Sequence, residues 1–149
     1  MFADVRRSAE SMWQELGSFQ CIARWHPMLK DAHGEGEEPG ATRTLETVDG
    51  RRWEERLTEV DPVQRLYRYE VVASDLPIAD FVGEFRVRDG GGDKCTVIWS
   101  AQFSVTEGSE KEVSDAVRGF FRAGARSIED RYAVRAPRAR NVRRLLRLR

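Results

Sequence analysis

The sequence predicts an α+β fold in which a run of antiparallel strands is followed by one long helix. Apolar residues alternate with period 2 through most of 41–106 and recur at helical spacing through 110–132. Short turn sequences also cut the first of these stretches at regular intervals.

Ser8 is a candidate N-cap, and Glu10 and Glu15 favour a helix start and its early turns. Met12, Trp13, Leu16 and Phe19 follow at roughly helical spacing, with Gly17 as the stop. From Ile22 to Pro27 a second, very short helix or turn is expected, because proline ends or redirects the chain. Gly34, Gly36, Pro39 and Gly40 mark an edge strand or loop rich in acids. Strands are then expected over 41–48, 52–60, 65–74, 78–88 and 94–106. Asp49-Gly50, Asp61-Pro62, Leu76-Pro77 and Gly90-Gly91-Gly92 separate them as the turns of a meander. In the final helix, Val113, Ala116, Val117, Phe120, Phe121, Gly124 and Ile128 form one apolar stripe.

Parity fixes which side chains face inward. The odd residues are apolar in successive strands: Trp53 and Leu57, Tyr67 and Tyr69, Phe81 and Phe85, then Val97, Trp99, Ala101 and Phe103. Two charges interrupt this face, Glu55 between Trp53 and Leu57, and Arg43 two residues before Leu45. A two-residue loop at Asp49-Gly50 would pair odd with even positions. A three-residue or bulged loop with Gly50 in the left-handed region keeps odd opposite odd and sets Arg43 beside Glu55. A lone buried carboxylate is costly, so Glu55 needs a partner. The pair reads in three ways: a structural ion pair, a polar anchor for a ligand in an apolar cavity, or a general acid.

The 149 residues divide into two parts by charge. Seven of the 25 basic residues are arginines in 135–149, which leaves 18 basic against 25 acidic residues in 1–134. The expected organisation is an acidic domain over 1–134 and a basic tail over 135–149. The tail reads as a solvated terminus, or as a short amphipathic segment that touches an acidic surface, with too few leucines for firm membrane anchoring. Cys21 and Cys95 form no disulfide framework or CxxC site, and no basic-then-apolar leader or eighteen-residue apolar span is present. A cytoplasmic protein with reduced thiols and no membrane span is expected. His26 and His33 are the only histidines and no cysteine or carboxylate cluster joins them, so no metal site is expected. The glycine runs lack the lysine and helix of a phosphate loop, and no Gly-x-Ser-x-Gly elbow occurs.

Met12-Trp13, Gly17-Ser18-Phe19, Trp25-His26-Pro27, Arg43-Thr44-Leu45, Asp49-Gly50, Glu55-Arg56-Leu57 with Asp61, Tyr67-Arg68-Tyr69, Leu76-Pro77 and Thr96-Val97-Ile98-Trp99-Ser100 succeed one another along the chain. In this order and spacing the sequence resembles the SRPBCC (START-like, Bet v 1-like) superfamily, in particular its bacterial polyketide cyclase/dehydrase-like members, over about residues 2–132. The resemblance implies a helix-grip fold: a seven-stranded antiparallel sheet around the C-terminal helix, with two short helices after the first strand. It also implies a cavity between sheet and helix for lipids, polyketides or other hydrophobic molecules, but no particular reaction. The short first strand and the basic tail depart from the family pattern.

The function expected is binding or carriage of a small hydrophobic ligand, lipid or polyketide-like, by a monomer or homodimer without cofactor or nucleic acid. The candidate wall comprises Trp25, Trp53, Phe81, Phe85, Trp99 and Phe103 from the sheet side, with Val117, Phe120 and Phe121 from the helix. Arg43, Glu55, Tyr67 and Tyr69 are the candidate polar anchors. Trp25 reads first as core and second as pocket wall, and His26 first as a partly exposed structural residue and second as a hydrogen-bond partner for a ligand. Two alternatives are a cyclase, dehydratase or aromatase in which Glu55 or His26 moves protons, and an interaction module working through the tail.

Overall fold

Ser8 caps the first helix, its hydroxyl accepting from Ser11 N–H at 3.1 Å. This start gives α1 (Ala9–Leu16), which follows a short strand β1 (Phe2–Val5). A computed structural model describes residues 1–132, so the basic tail lies outside the described residues. The remaining elements are a 3-10 helix (Phe19–Arg24), β2 (Leu29–Glu35), β3 (Thr42–Thr47), β4 (Arg52–Asp61), β5 (Leu66–Ser74), β6 (Ile78–Asp89), β7 (Cys95–Val105) and α2 (Glu110–Tyr132). The strands form one antiparallel sheet in the order β1-β7-β6-β5-β4-β3-β2, wrapped around α2. This is the helix-grip fold.

One local expectation is corrected. The second helix begins at Phe19, not near Ile22, because a distant acid caps it. Glu37 accepts from Phe19 N–H at 2.7 Å, from Gln20 N–H at 3.2 Å and from the Ser18 hydroxyl at 2.5 Å. The acid-rich stretch expected as an edge strand or loop is both: the end of β2, at the margin of the sheet, and the turn after it. β2 starts earlier, at Leu29, and its exposure does not alternate, which left no period for the sequence to display.

The β3–β4 hairpin has the bulged form. Arg43 pairs with Glu55 and Leu45 with Trp53, and Thr47 N–H reaches Arg51 O at 2.9 Å across a three-residue loop. Gly50 takes φ +90° there, a conformation that only glycine adopts without strain. Odd residues consequently face inward in the successive strands, and Leu45, Leu57, Tyr69, Phe85 and Val97 are all buried. The outer face is tied by ion pairs across neighbouring strands, including Arg56–Glu70 and Arg68–Glu84.

Candidate ligand cavity and its buried ion pair

The space between sheet and α2 is unevenly filled. At the end covered by the 3-10 helix the aromatic residues close on one another. Tyr67 stacks on Phe85 with ring centroids 5.2 Å apart, Trp25 meets Phe85 at 5.8 Å, and Trp99 stacks on Phe121 at 4.2 Å. Trp99 Nε1–H donates to the Tyr69 hydroxyl at 2.7 Å. Gly83 does not leave a void, because the Tyr69 ring lies against its Cα and a Cβ there would stand 2.3 Å from Tyr69 Cζ.

Arg43 sits within this packed end, fully buried. Its Nε donates to Glu55 Oε1 at 2.9 Å, Nη2 lies 2.8 Å from the same oxygen, and Nη1 donates to the Phe19 carbonyl. Its guanidinium carbon lies 3.9 Å from the Phe19 ring centroid and 5.3 Å from that of Tyr69. Burial pulls its pKa down, but the Glu55 carboxylate and the two phenols more than restore it, so Arg43 stays charged. Burial pushes the hydroxyls of Tyr67 and Tyr69 above their ordinary range, so both remain neutral. Arg43 thus clamps the 3-10 helix to the sheet.

The other end is hollow. A cavity of about 310 Å³ opens between the β3–β4 hairpin, the β5–β6 turn and the N-terminal half of α2. Trp53, Val71, Ile78 and Phe81 wall the sheet side, while Val117, Phe120 and Phe121 wall the helix side. Trp53 meets the Phe120 ring edge-on at 5.1 Å. Asp49, Arg51, Ser74 and Asp115 supply polar groups to the lining, and Gly119 borders the cavity with nothing within 4 Å of the position its Cβ would take. The one buried charged residue in the wall is Glu55, only 4% exposed. Arg43 occupies its Oε1, and no donor among the described residues reaches Oε2.

His26 is corrected from partly exposed to buried, at 1% exposure. Its ring stacks on Phe120 with centroids 3.9 Å apart. The Phe120 carbonyl can only accept and the Met28 N–H can only donate. The ring is therefore the Nε2–H tautomer, with Nε2 bonded to Phe120 O at 2.8 Å and Nδ1 receiving Met28 N–H at 3.2 Å. Burial drives its pKa down from 6.5 to about 4, the Phe120 bond opposes this, and Arg43 adds to it.

The sequence candidates therefore divide. Trp53, Glu55, Phe81, Val117, Phe120 and Phe121 line the cavity. Trp25, His26, Arg43, Tyr67, Tyr69 and Phe85 do not, because they fill the space beneath the 3-10 helix. Trp99 and Phe103 border a separate groove on the other side of α2. Thr47, Asp49, Arg51, Ser74 and Leu76 were not anticipated. Asp49, Arg51, Ser74 and Leu76 belong to hairpin ends, where no alternation marks an inward face, whereas Thr47 and Val71 sit on the odd face of their strands and were legible in that respect. Among the described residues no group of three or more His, Cys, Asp or Glu is placed to hold a metal ion, and no helix is long and apolar enough to cross a membrane.

Residues 1–133 match the family described as polyketide cyclase/dehydrase and lipid transport. The chain belongs to this family. Among curated proteins none matches the sequence. Among solved structures, the family fold recurs in the protein XoxI of Bacillus cereus, with a TM-score of 0.81 and 22% identity over 89% of this chain and 92% of that one. It recurs in the Zhui aromatase/cyclase of Streptomyces sp. R1128, with a TM-score of 0.70 and 14% identity over 85% of each chain. Norcoclaurine synthase of Thalictrum flavum shares it at a TM-score of 0.69 and 21% identity, over 87% of this chain and 82% of that one. In this member of the family, the cavity between sheet and helix is suited to a small hydrophobic ligand.

Proposed function

We propose that the protein binds and carries a compact, largely apolar molecule whose hydrogen-bond donor end meets Glu55. The observation that carries this reading is the one buried carboxylate of a mostly apolar wall, with one oxygen free. Oε1 is held by Arg43, and a ligand hydroxyl or amine N–H completes Oε2. A cavity of about 310 Å³ is at the lower end of ordinary ligand pockets, roughly 300–1,000 Å³. That size favours a molecule built of a few rings over a long acyl chain, and Trp53, Phe81, Phe120 and Phe121 offer it aromatic faces.

The test uses N-phenyl-1-naphthylamine, a neutral apolar fluorophore with one N–H donor. The wild-type chain is expected to brighten it. Val71→Trp, on the inward face of the sheet wall, and Gly119→Trp, at the exposed rim of the cavity, are each expected to weaken the signal. Glu55→Gln is expected to weaken binding, but it also leaves Arg43 buried without its counter-charge, so Val71→Trp and Gly119→Trp are the cleaner probes. Folded Val71→Trp and Gly119→Trp variants that both bind like wild type would falsify the reading. Native mass spectrometry of the purified chain, followed by extraction, identifies any resident ligand.

A second reading uses the same oxygen chemically, with Glu55 as proton acceptor in a cyclase or dehydratase. Glu55→Gln that retains the fluorophore and loses turnover of a poly-β-keto substrate selects it. His26 is not available for that role, because backbone groups hold both its ring nitrogens.

A further inference from the structure

The sheet has two free margins, and they are built differently. The β2 margin carries Lys30, Asp31, His33 and Glu35, and its register slips between Leu29 and Asp31. Charges and a bulge discourage another strand from pairing there. On the opposite side, β1 covers β7 only from Cys95 to Ile98, and a reciprocal Met1–Trp99 backbone pair (2.8 and 2.9 Å) adds one residue. Beyond Trp99 this side of β7 has no partner strand among the described residues.

The ladder fixes which groups remain. Reciprocal bonds to β1 alternate along β7 and include Trp99, so the N–H and C=O of Ala101, Phe103 and Val105 point along the open margin. The stretch Ser100 to Val105 contains no charge, proline or glycine to guard it. Between it and α2 lies a groove of about 810 Å³. Val117 and Phe121 supply apolar surface, while Arg118 and Arg122 stand exposed along it with no salt bridge among the described residues. Glu110 is the one acidic residue in the lining.

We infer that this margin accepts an extended acidic peptide segment of a partner protein as an added strand. Its backbone pairs with Ala101, Phe103 and Val105, its alternate apolar side chains face Val117 and Phe121, and its carboxylates meet Arg118 and Arg122. A second copy fits less well, since two-fold pairing about Phe103 sets the arginines of both chains into one groove. The basic stretch 135–149 meets the same repulsion.

The probes are two capped octapeptides, one alternating valine with glutamate and one alternating valine with lysine. The Val/Glu peptide is expected to bind and to slow amide exchange at Ala101, Phe103 and Val105 by at least about tenfold, leaving the β2 margin unchanged. Arg118→Glu with Arg122→Glu is expected to weaken it by at least about tenfold, and Gly119→Trp is expected to leave it unaffected, which separates this surface from the cavity. Equal binding of the two peptides, binding of neither, or protection at other amides overturns the inference. So does protection that rises with protein concentration in the absence of peptide, which assigns the margin to a second copy.

Discussion

The two ends of the space under α2 are built from similar residues and do different things. Beneath the 3-10 helix, Phe19, Trp25, Tyr67, Tyr69 and Phe85 pack against one another, and Arg43 is enclosed among them. Toward the β3–β4 hairpin, Trp53, Phe81, Val117 and Phe120 stand around open space. Both ends obey the same inward parity, so alternation sets the face and does not set the filling. A third element does that: the 3-10 helix and its C-cap bring Phe19 and Trp25 to one end, and no comparable element among the described residues covers the other. Glu55 sits at the boundary, structural toward Arg43 and free toward the cavity.

Truncation at each end tests the contrast most strongly. Phe85→Ala in the packed end is expected to cost about 3–5 kcal/mol, the range for a large aromatic removed from a closed core. Trp53→Ala, at a half-buried cavity wall, is expected to cost only about 1–2 kcal/mol because its space is already partly open. Arg43→Met leaves Glu55 buried without a counter-charge and is expected to lose about 3–5 kcal/mol, with much of that regained in Arg43→Met/Glu55→Leu. Urea denaturation monitored by tryptophan fluorescence measures all four. Equal losses for Phe85→Ala and Trp53→Ala remove the distinction between the ends.

The next effect depends on pH. The His26 pKa is about 4 folded against an ordinary 6.5, so between those values the unfolded chain binds a proton that the folded chain does not. Stability from this group is complete above about pH 6.5 and is lost as pH falls toward about 4, by of the order of 3 kcal/mol. Comparing wild type with His26→Gln across pH 4 to 7 isolates the contribution, since the variant removes the titration. A stability curve with the same acid slope in both proteins places the slope elsewhere.

Much of this was legible in the sequence. The five-strand meander, the long helix, the bulged hairpin and the Arg43–Glu55 pairing all follow from parity and turn chemistry, which are local and periodic. The start of the 3-10 helix was not legible, because its cap is Glu37, eighteen residues away from Phe19. The burial of His26 was missed for a related reason: its partner carbonyl is Phe120, 94 residues on. For the candidate site, the wall residues on strands and helix were identified as inward, but which of them face a void depends on contacts between distant elements. Tyr69 shows the difficulty. Its register partner is Gly83, and its own ring takes the room that the glycine leaves.

The smallest expected effect tests the hollow end without removing anything from it. Gly119 lies within α2, and a Cβ there meets no atom within 4 Å. Gly119→Ala removes the conformational cost of glycine in a helix interior and adds no clash, so it is expected to stabilise the chain by about 0.5–1 kcal/mol. A methyl group is also too small to close a cavity of about 310 Å³, so fluorophore affinity is expected to stay within about twofold of wild type. Gly83→Ala makes the opposite case in the packed end, where the added carbon falls 2.3 Å from Tyr69 Cζ and forces the ring to move. The same single methyl should therefore raise stability at one end and lower it at the other. Thermal melts of the two variants decide the point, and melting temperatures that move in the same direction mean that the crowding at Gly83 and the free space at exposed Gly119 do not set the difference.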